Sequence, residues 1–174
     1  MRMGMRMGLS NPSAGVAAFD GGLLTNGGFD ADPASTGWRG YLNDATNLDG
    51  VTFGATPTNI SATAVAKMEH ATAPSPSDIE GFEQVVDVSG LSSVSLSGSL
   101  DYISGAANVR VLITGTGFTT VSEDYIGVQL ADLSANADLQ SMDVSGASSI
   151  TIAFRMRANG TINAEFGKLR LTGS

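Results

Sequence analysis

Apolar and polar residues alternate with a period of two in several separate stretches of this chain. Val94, Leu96, Gly98, Leu100 and Tyr102 alternate with Ser95, Ser97, Ser99 and Asp101. Ile150, Ile152, Phe154 and Met156 alternate with Thr151, Ala153, Arg155 and Arg157. Val109, Val111 and Ile113 point one way, and Arg110 and Leu112 the other. This is the period of a half-buried strand, because successive side chains in a strand leave opposite faces. Ile60, Ala62, Ala64, Ala66 and Met68 alternate with Ser61, Thr63, Val65 and Lys67 and predict a further strand. Phe82 to Val88 reads as a mixed strand, and Phe166, Leu169 and Leu171 mark the last one. Between these runs stand Gly, Ser, Asn, Asp and Pro, the residues of turns. Gly115-Thr116-Gly117-Phe118 reads as a hairpin connection, and Ala73-Pro74-Ser75-Pro76-Ser77 as a stiff loop. No segment predicts a long amphipathic helix, and Val121–Leu133 holds at most a turn of one. Eight or more strands at this spacing predict an all-β domain, a sandwich or jelly roll.

The length of 174 residues suits one domain with a short arm, and such a chain buries a core without covalent staples. Residues 1–20 form the expected arm and residues 21–174 the domain. The arm repeats Met1-Arg2-Met3-Gly4 as Met5-Arg6-Met7-Gly8 and continues into Leu9. Bulky residues alternate there with Arg or Gly, as in a strand built to add to something else. No apolar run approaches the ~20 residues of a membrane-spanning helix. Arg2 and Arg6 are not followed by the apolar core of a secretion signal, so secretion is not expected. A net charge of −8 repels nucleic acid and anionic membranes. With no cysteine, disulfides and thiolate metal sites are excluded.

Leu23-Leu24-Thr25-Asn26-Gly27-Gly28-Phe29-Asp30, followed by Gly37-Trp38, carries a resemblance. It is similar to the "N-G-x-F-E … G-W" opening of jelly-roll sandwiches of the carbohydrate-binding-module and galactose-binding-like families. Phe82–Val88 followed by Val94–Tyr102 resembles their centre, and Phe154–Leu171 their closing strands, so the likeness spans roughly residues 22–172. It implies an all-β jelly-roll β-sandwich carrying an extended N-terminal arm. Asn-Gly-Gly is expected to turn with positive φ, and Phe29 and Trp38 to enter the core.

The resemblance also implies a structural calcium, with Asp30 as the matching ligand. The second expected acid is replaced, because Gly167-Lys168-Leu169-Arg170-Leu171 stands where "D-N-V-R-L" is expected. Otherwise no cofactor is expected, and Asp30 equally reads as a turn-capping carboxylate. For a glycan, Tyr41 and Tyr125 are the candidate platforms. Asp101, Arg110, Arg155 and Arg157 are the candidate polar face, which also reads as a solvated sheet with cross-strand Asp–Arg pairs. Catalysis finds little footing. His70 is the single histidine, no Gly-x-Ser-x-Gly elbow exists, and Asp78, Glu80 and Glu83 read as a solvated acidic loop.

Two functions follow. The arm resembles the starts of some tailed-phage structural proteins. This implies a non-catalytic virion component, a capsid decoration, fibre-base or tail-accessory protein, located in the virion. Met1, Arg2, Met3, Met5, Arg6, Met7 and Leu9 would dock into capsid or tail proteins, and the domain would associate with itself, a trimer being favoured. The alternative is a carbohydrate-binding module recognising a glycan.

Overall fold

The computed structural model describes residues 19–31, 33–40, 50–70, 79–105, 108–125, 127, 130–157 and 162–174. In chain order the strands are β1 (Arg39–Gly40), β2 (Val51–Ala55), β3 (Val65–His70), β4 (Ile79–Asp87), β5 (Ser93–Gly105) and β6 (Asn108–Thr114). They continue with β7 (Val121–Tyr125), β8 (Ala131–Asp132), β9 (Met142–Asp143), β10 (Ser149–Arg157) and β11 (Ile162–Gly173). Short 3₁₀ turns at Leu133–Ala135 and Ala137–Leu139 lie between β8 and β9. One sheet has the order β1-β4-β10-β6-β7. The other has the order β2-β3-β11-β5-β8, with β9 also pairing β5. The strand pairs are antiparallel, and neighbours in space are mostly not neighbours in sequence, which gives a jelly-roll β-sandwich.

The alternating residues meet between the sheets. Val109, Val111, Ile113, Ile150, Ile152, Phe154 and Met156 are buried from one side, and Leu96, Leu100, Ala164, Phe166 and Leu171 from the other. An aromatic cluster fills the centre. Phe82 stacks on Phe154 at 5.2 Å between ring centroids, Phe154 meets Phe166 at 4.8 Å, and Trp38 meets Phe82 edge-on at 5.2 Å. Phe29 is fully buried and touches Trp38 at 5.5 Å, as the opening motif predicts.

That motif works differently from its expected turn. The positive φ values fall on Asn26 and Phe29, at 52° and 57°, rather than on Gly27 and Gly28. Gly27 is glycine because a Cβ there would lie 1.9 Å from the carbonyl oxygen of Leu169. The segment from Gly21 to Gly27 runs against the second half of β11, with Leu23 N–H on Leu171 O at 2.8 Å and Leu169 N–H on Gly27 O at 2.9 Å. Asn26 holds the following loop. Its Oδ1 accepts from the N–H groups of Asp30 and Ala31, and its Nδ2 donates to Ala34 O.

One strand starts later than its pattern. Residues 60–64 are not part of β3, which begins at Val65. They belong to a loop that crosses the outer face of the six-stranded sheet. Ile60 is buried there, packed over Gly167, whose missing Cβ would lie 2.9 Å from Ile60 Cγ2. The alternation of Ile60, Ala62 and Ala64 reflects the burial of Ile60 on the sheet and of Ala64 in the core rather than extended pairing. The Val121–Leu133 segment holds β7, β8 and only the first residue of a 3₁₀ turn.

Candidate functional site

The polar face expected from sequence is divided between two sheets. Asp101 lies on β5 in the six-stranded sheet, opposite Glu165. Arg155 lies on β10 opposite Arg110 of β6 in the five-stranded sheet, and Arg157 is registered with Asn108. The expected grouping of Asp101 with the three arginines is therefore corrected: the sandwich core separates them. The Asp–Arg pairing does occur, with a different acid. Arg110 grips Asp124, its register partner on β7, with both its Nε and one terminal nitrogen.

Tyr125 is not an exposed platform either. It packs at the edge of the core, and its hydroxyl accepts from Nδ2 of Asn136 at 3.2 Å. Burial and the neighbouring Glu123 carboxylate raise its pKa above the ordinary tyrosine value, against a lowering by the Asn136 hydrogen bond. Asp101 is buried beneath the β2–β3 loop instead of lying on a solvated face. Trp38 is a core residue whose indole N–H donates to Asn26 O at 3.1 Å.

Tyr41, Asp78 and the arm from Met1 to Leu9 lie outside the described residues. Glu83 is paired with Arg39 at 2.7 Å. The Asp30 carboxylate accepts the N–H of Phe19 at 2.9 Å, so it ties down the start of the described chain. Asp30 and Lys168 line one small cavity of about 140 Å³, which places a cationic side chain near the acid expected to hold calcium.

A larger groove, of about 400 Å³, lies at one end of the sandwich. One wall is the β6–β7 hairpin, with Gly117, Phe118, Thr119 and Val121; the other contains Asp138, Gln140, Met142 and Asp143. The two walls touch through glycines. A Cβ on Gly117 would lie 2.1 Å from Gly146 O, and one on Gly146 would lie 2.7 Å from Gly117 O. The hairpin itself is the one read from Gly115-Thr116-Gly117-Phe118, closed by Phe118 N–H on Gly115 O at 3.4 Å.

Gln140 and Asp143 are held by side-chain hydrogen bonds, and Asp138 by its backbone. Gln140 donates from Nε2 to Leu96 O at 2.8 Å. The N–H of Asp138 donates to Oδ1 of Asn136, whose Nδ2 also reaches Glu123 at 2.9 Å, so the 3₁₀ turns are tied to β7. Asp143 accepts from the N–H and hydroxyl of Ser145, which lowers its pKa, the backbone bond being the larger cause. The result is the half-buried ring of Phe118, which packs against the core on one side, with Val121 and Met142, beside carboxylate and amide groups. That combination accepts a ligand with both an apolar face and hydroxyl donors. The sequence shows Phe118 only as part of a hairpin turn; its meeting with residues 138–143 depends on the crossing of loops far apart in the chain.

No protein-family model matches the chain, and no curated protein matches it in sequence. Solved structures do. The chain is similar to the carbohydrate-binding module TmCBM61, determined in complex with β-1,4-galactotriose, at 12% identity and TM-score 0.60, over 88% of this chain and 99% of that one. It is similar to the CBM22-1 xylan-binding domain of Paenibacillus barcinonensis Xyn10C at 12% identity and TM-score 0.55, over 90% and 97%. It is also similar to the enzymatically active domain of tailspike protein 4 of bacteriophage CBA120, at 11% identity and TM-score 0.56, over 88% of this chain and 22% of that one. The shared property at these identities is the fold, a jelly-roll β-sandwich.

Proposed function

We propose that this chain is a non-catalytic carbohydrate-binding module whose ligand lies in the groove between the β6–β7 hairpin and residues 137–146. The observation that carries this reading is the placement of Phe118 beside Asp138, Gln140 and Asp143 in one open groove. A sugar ring offers C–H groups on one face and hydroxyls around its edge. The ring of Phe118 suits the first, and carboxylate and amide oxygens accept from the second. The fold supports the same reading, since modules of this shape include a galactotriose complex and a xylan-binding domain. The test is a glycan array with the full chain, followed by calorimetry with Phe118→Ala and Asp138→Ala. Binding that falls tenfold or more in Phe118→Ala supports the groove. A glycan bound equally by both variants moves the site elsewhere, and no glycan bound at all removes the function.

A second reading joins this module to a virion. The tailspike likeness favours it, together with the Met/Arg/Gly repeat of residues 1–8. In that reading the arm docks into capsid or tail proteins, the domains associate as a trimer, and the groove faces the host surface. Deleting residues 1–12 should then abolish incorporation into particles and leave glycan binding intact. Normal incorporation of the truncated chain would refute the docking role.

A further inference from the structure

The groove between the β6–β7 hairpin and residues 137–146 is closed at both ends. Its walls run in opposite senses, one from Gly117 into β7 and the other from Gly146 back to Ala137. At one end the backbones of Gly117 and Gly146 meet with no room for a Cβ on either residue. At the other end Asn136 Nδ2 bridges the walls, donating to the Glu123 carboxylate at 2.9 Å and to the Tyr125 hydroxyl at 3.2 Å. The groove is the space left where the walls part between these two joins.

Neither wall is free to swing away. The first belongs to the five-stranded sheet through the pairing of β6 with β7. The second is pinned to β5 of the six-stranded sheet: Met142 is registered with Val94, Gln140 Nε2 donates to Leu96 O, and Ser141 N–H donates to Ser95 Oγ at 2.9 Å. The floor is closed as well, because Met142 is buried and Phe118 and Val121 pack against the core. The groove is therefore a preformed basin rather than a cleft that runs across the molecule. From Gly117 to Glu123 the wall spans at most about 20 Å, even fully extended. The volume of about 400 Å³ lies in the lower part of the range of small-ligand sites, roughly 300–1,000 Å³.

A polymer lying lengthwise in a groove needs an exit at each end, and this groove has neither. We propose that it receives the terminal mono- or disaccharide of a glycan, at a chain end or a branch tip, and not the interior of a polymer; this rests on the reading of the groove as the glycan site. The chemistry of the lining agrees with a terminus. A terminal sugar carries a hydroxyl that an interior sugar loses to its next linkage. Asp143 spends Oδ1 on Ser145, and among the described residues no donor reaches its Oδ2 or the carboxylate of Asp138. Those oxygens are open to accept from such a hydroxyl, with the sugar's C–H face on Phe118.

The test uses the full chain and a length series. Galacto-, xylo-, gluco- and manno-oligosaccharides, each from monosaccharide to hexasaccharide, are titrated by calorimetry, and the parent polymers compete before and after partial hydrolysis at equal mass. Affinity should be complete by the disaccharide and change less than twofold up to the hexasaccharide. Hydrolysis that makes tenfold more chain ends should make the polymer a roughly tenfold better competitor. Affinity that still rises tenfold between disaccharide and hexasaccharide overturns the proposal, as does competition that ignores the number of ends. The Phe118→Ala variant separates that failure from failure of the site itself. Loss of binding in this variant, together with a length-dependent wild type, leaves the groove as the glycan site and removes only the terminal selectivity. Unchanged binding of the disaccharide by Phe118→Ala removes both, and so does a wild type that binds no glycan. Asp138→Ala replaces Phe118→Ala if the latter misfolds, and the length series itself needs no variant.

Discussion

The backbones of Gly117 and Gly146 meet so closely that neither residue has room for a Cβ: one on Gly117 would lie 2.1 Å from Gly146 O, and one on Gly146 would lie 2.7 Å from Gly117 O. This contact joins the β6–β7 hairpin to the segment after β9 and sets the width of the candidate groove. Gly146→Ala forces the two backbones apart. The expected cost is about 1–3 kcal/mol, the range for overpacking. Gly117→Ala should cost more, because Gly117 also holds φ at +77°. Urea unfolding measures both. A Gly146→Ala protein as stable as wild type would show that the walls do not touch in solution.

Asn136 links the groove wall to Tyr125. Asn136→Ala removes hydrogen bonds to Glu123, to the Tyr125 hydroxyl and to the N–H of Asp138. A loss of about 1–3 kcal/mol is expected, since three polar groups lose partners. The pH dependence has a definite sign. Burial raises the pKa of Tyr125, so the fold favours the neutral phenol. Its contribution to stability is complete below the ordinary value of about 10 and is lost as pH rises through the higher folded value. The Asn136 hydrogen bond lowers this pKa, so Asn136→Ala should move it further up. Phenolate absorbance during alkaline titration reads the shift; movement downward would contradict the assigned geometry.

The strands were largely legible in sequence, and the sites were not. Period-two alternation in β5, β6 and β10 is a local property, so Phe154, Ile152 and Val111 are correctly read as inward facing. The same alternation cannot say which sheet a strand joins. Ser95–Asp101 and Arg110 look like one polar face along the chain, yet β5 and β6 enter opposite sheets, and Arg110 finds Asp124 instead. Ile60 and Ala62 mimic a strand because a loop packed on a sheet also needs a buried anchor. Phe118 carries no signal in its neighbours, since its groove is completed by residues some 20 positions onward. Gly27 and Gly167 were legible as glycines but not by cause, for their reason is a colliding neighbour from another strand or loop.

Asn26 organises the opening loop through its side chain as well as its positive φ. Asn26→Asp keeps the acceptor for the N–H groups of Asp30 and Ala31, and replaces the donation to Ala34 O by a carboxylate oxygen that must turn away from it. Asn26→Ala loses both and places a Cβ residue without side-chain compensation at φ 52°. The expected costs are about 1 kcal/mol for the first and about 3 kcal/mol for the second. Thermal unfolding gives the order. The near-ultraviolet signal of Trp38, whose indole bonds to Asn26 O, should weaken in Asn26→Ala. Equal stability of the two variants would mean that the Oδ1 bonds contribute nothing.

Asp143 supplies a fixed negative charge to the groove across acid conditions. Its carboxylate accepts the N–H of Ser145 at 2.9 Å and its hydroxyl at 2.7 Å, and both bonds lower its pKa below the ordinary aspartate value. Asp87 and Asp132 are lowered in the same way by Ser89 and Ser134. For such groups the folded state favours the ionised form. Their contribution to stability is present above the ordinary value of about 3.9 and is lost as pH falls through the lower folded value. These three aspartates therefore give up their contribution only at acid pH, below the ordinary aspartate range. Ser145→Ala keeps the backbone N–H, the larger cause, and removes the hydroxyl bond. In that variant the Asp143 titration, followed by carboxyl NMR, should move part of the way back toward the ordinary value. Between about pH 5 and 8 the carboxylate stays ionised in both proteins. Glycan affinity over that range should be flat if Asp143 accepts a sugar hydroxyl. A marked loss of affinity on going from pH 8 to pH 5 would assign recognition to a different titrating group.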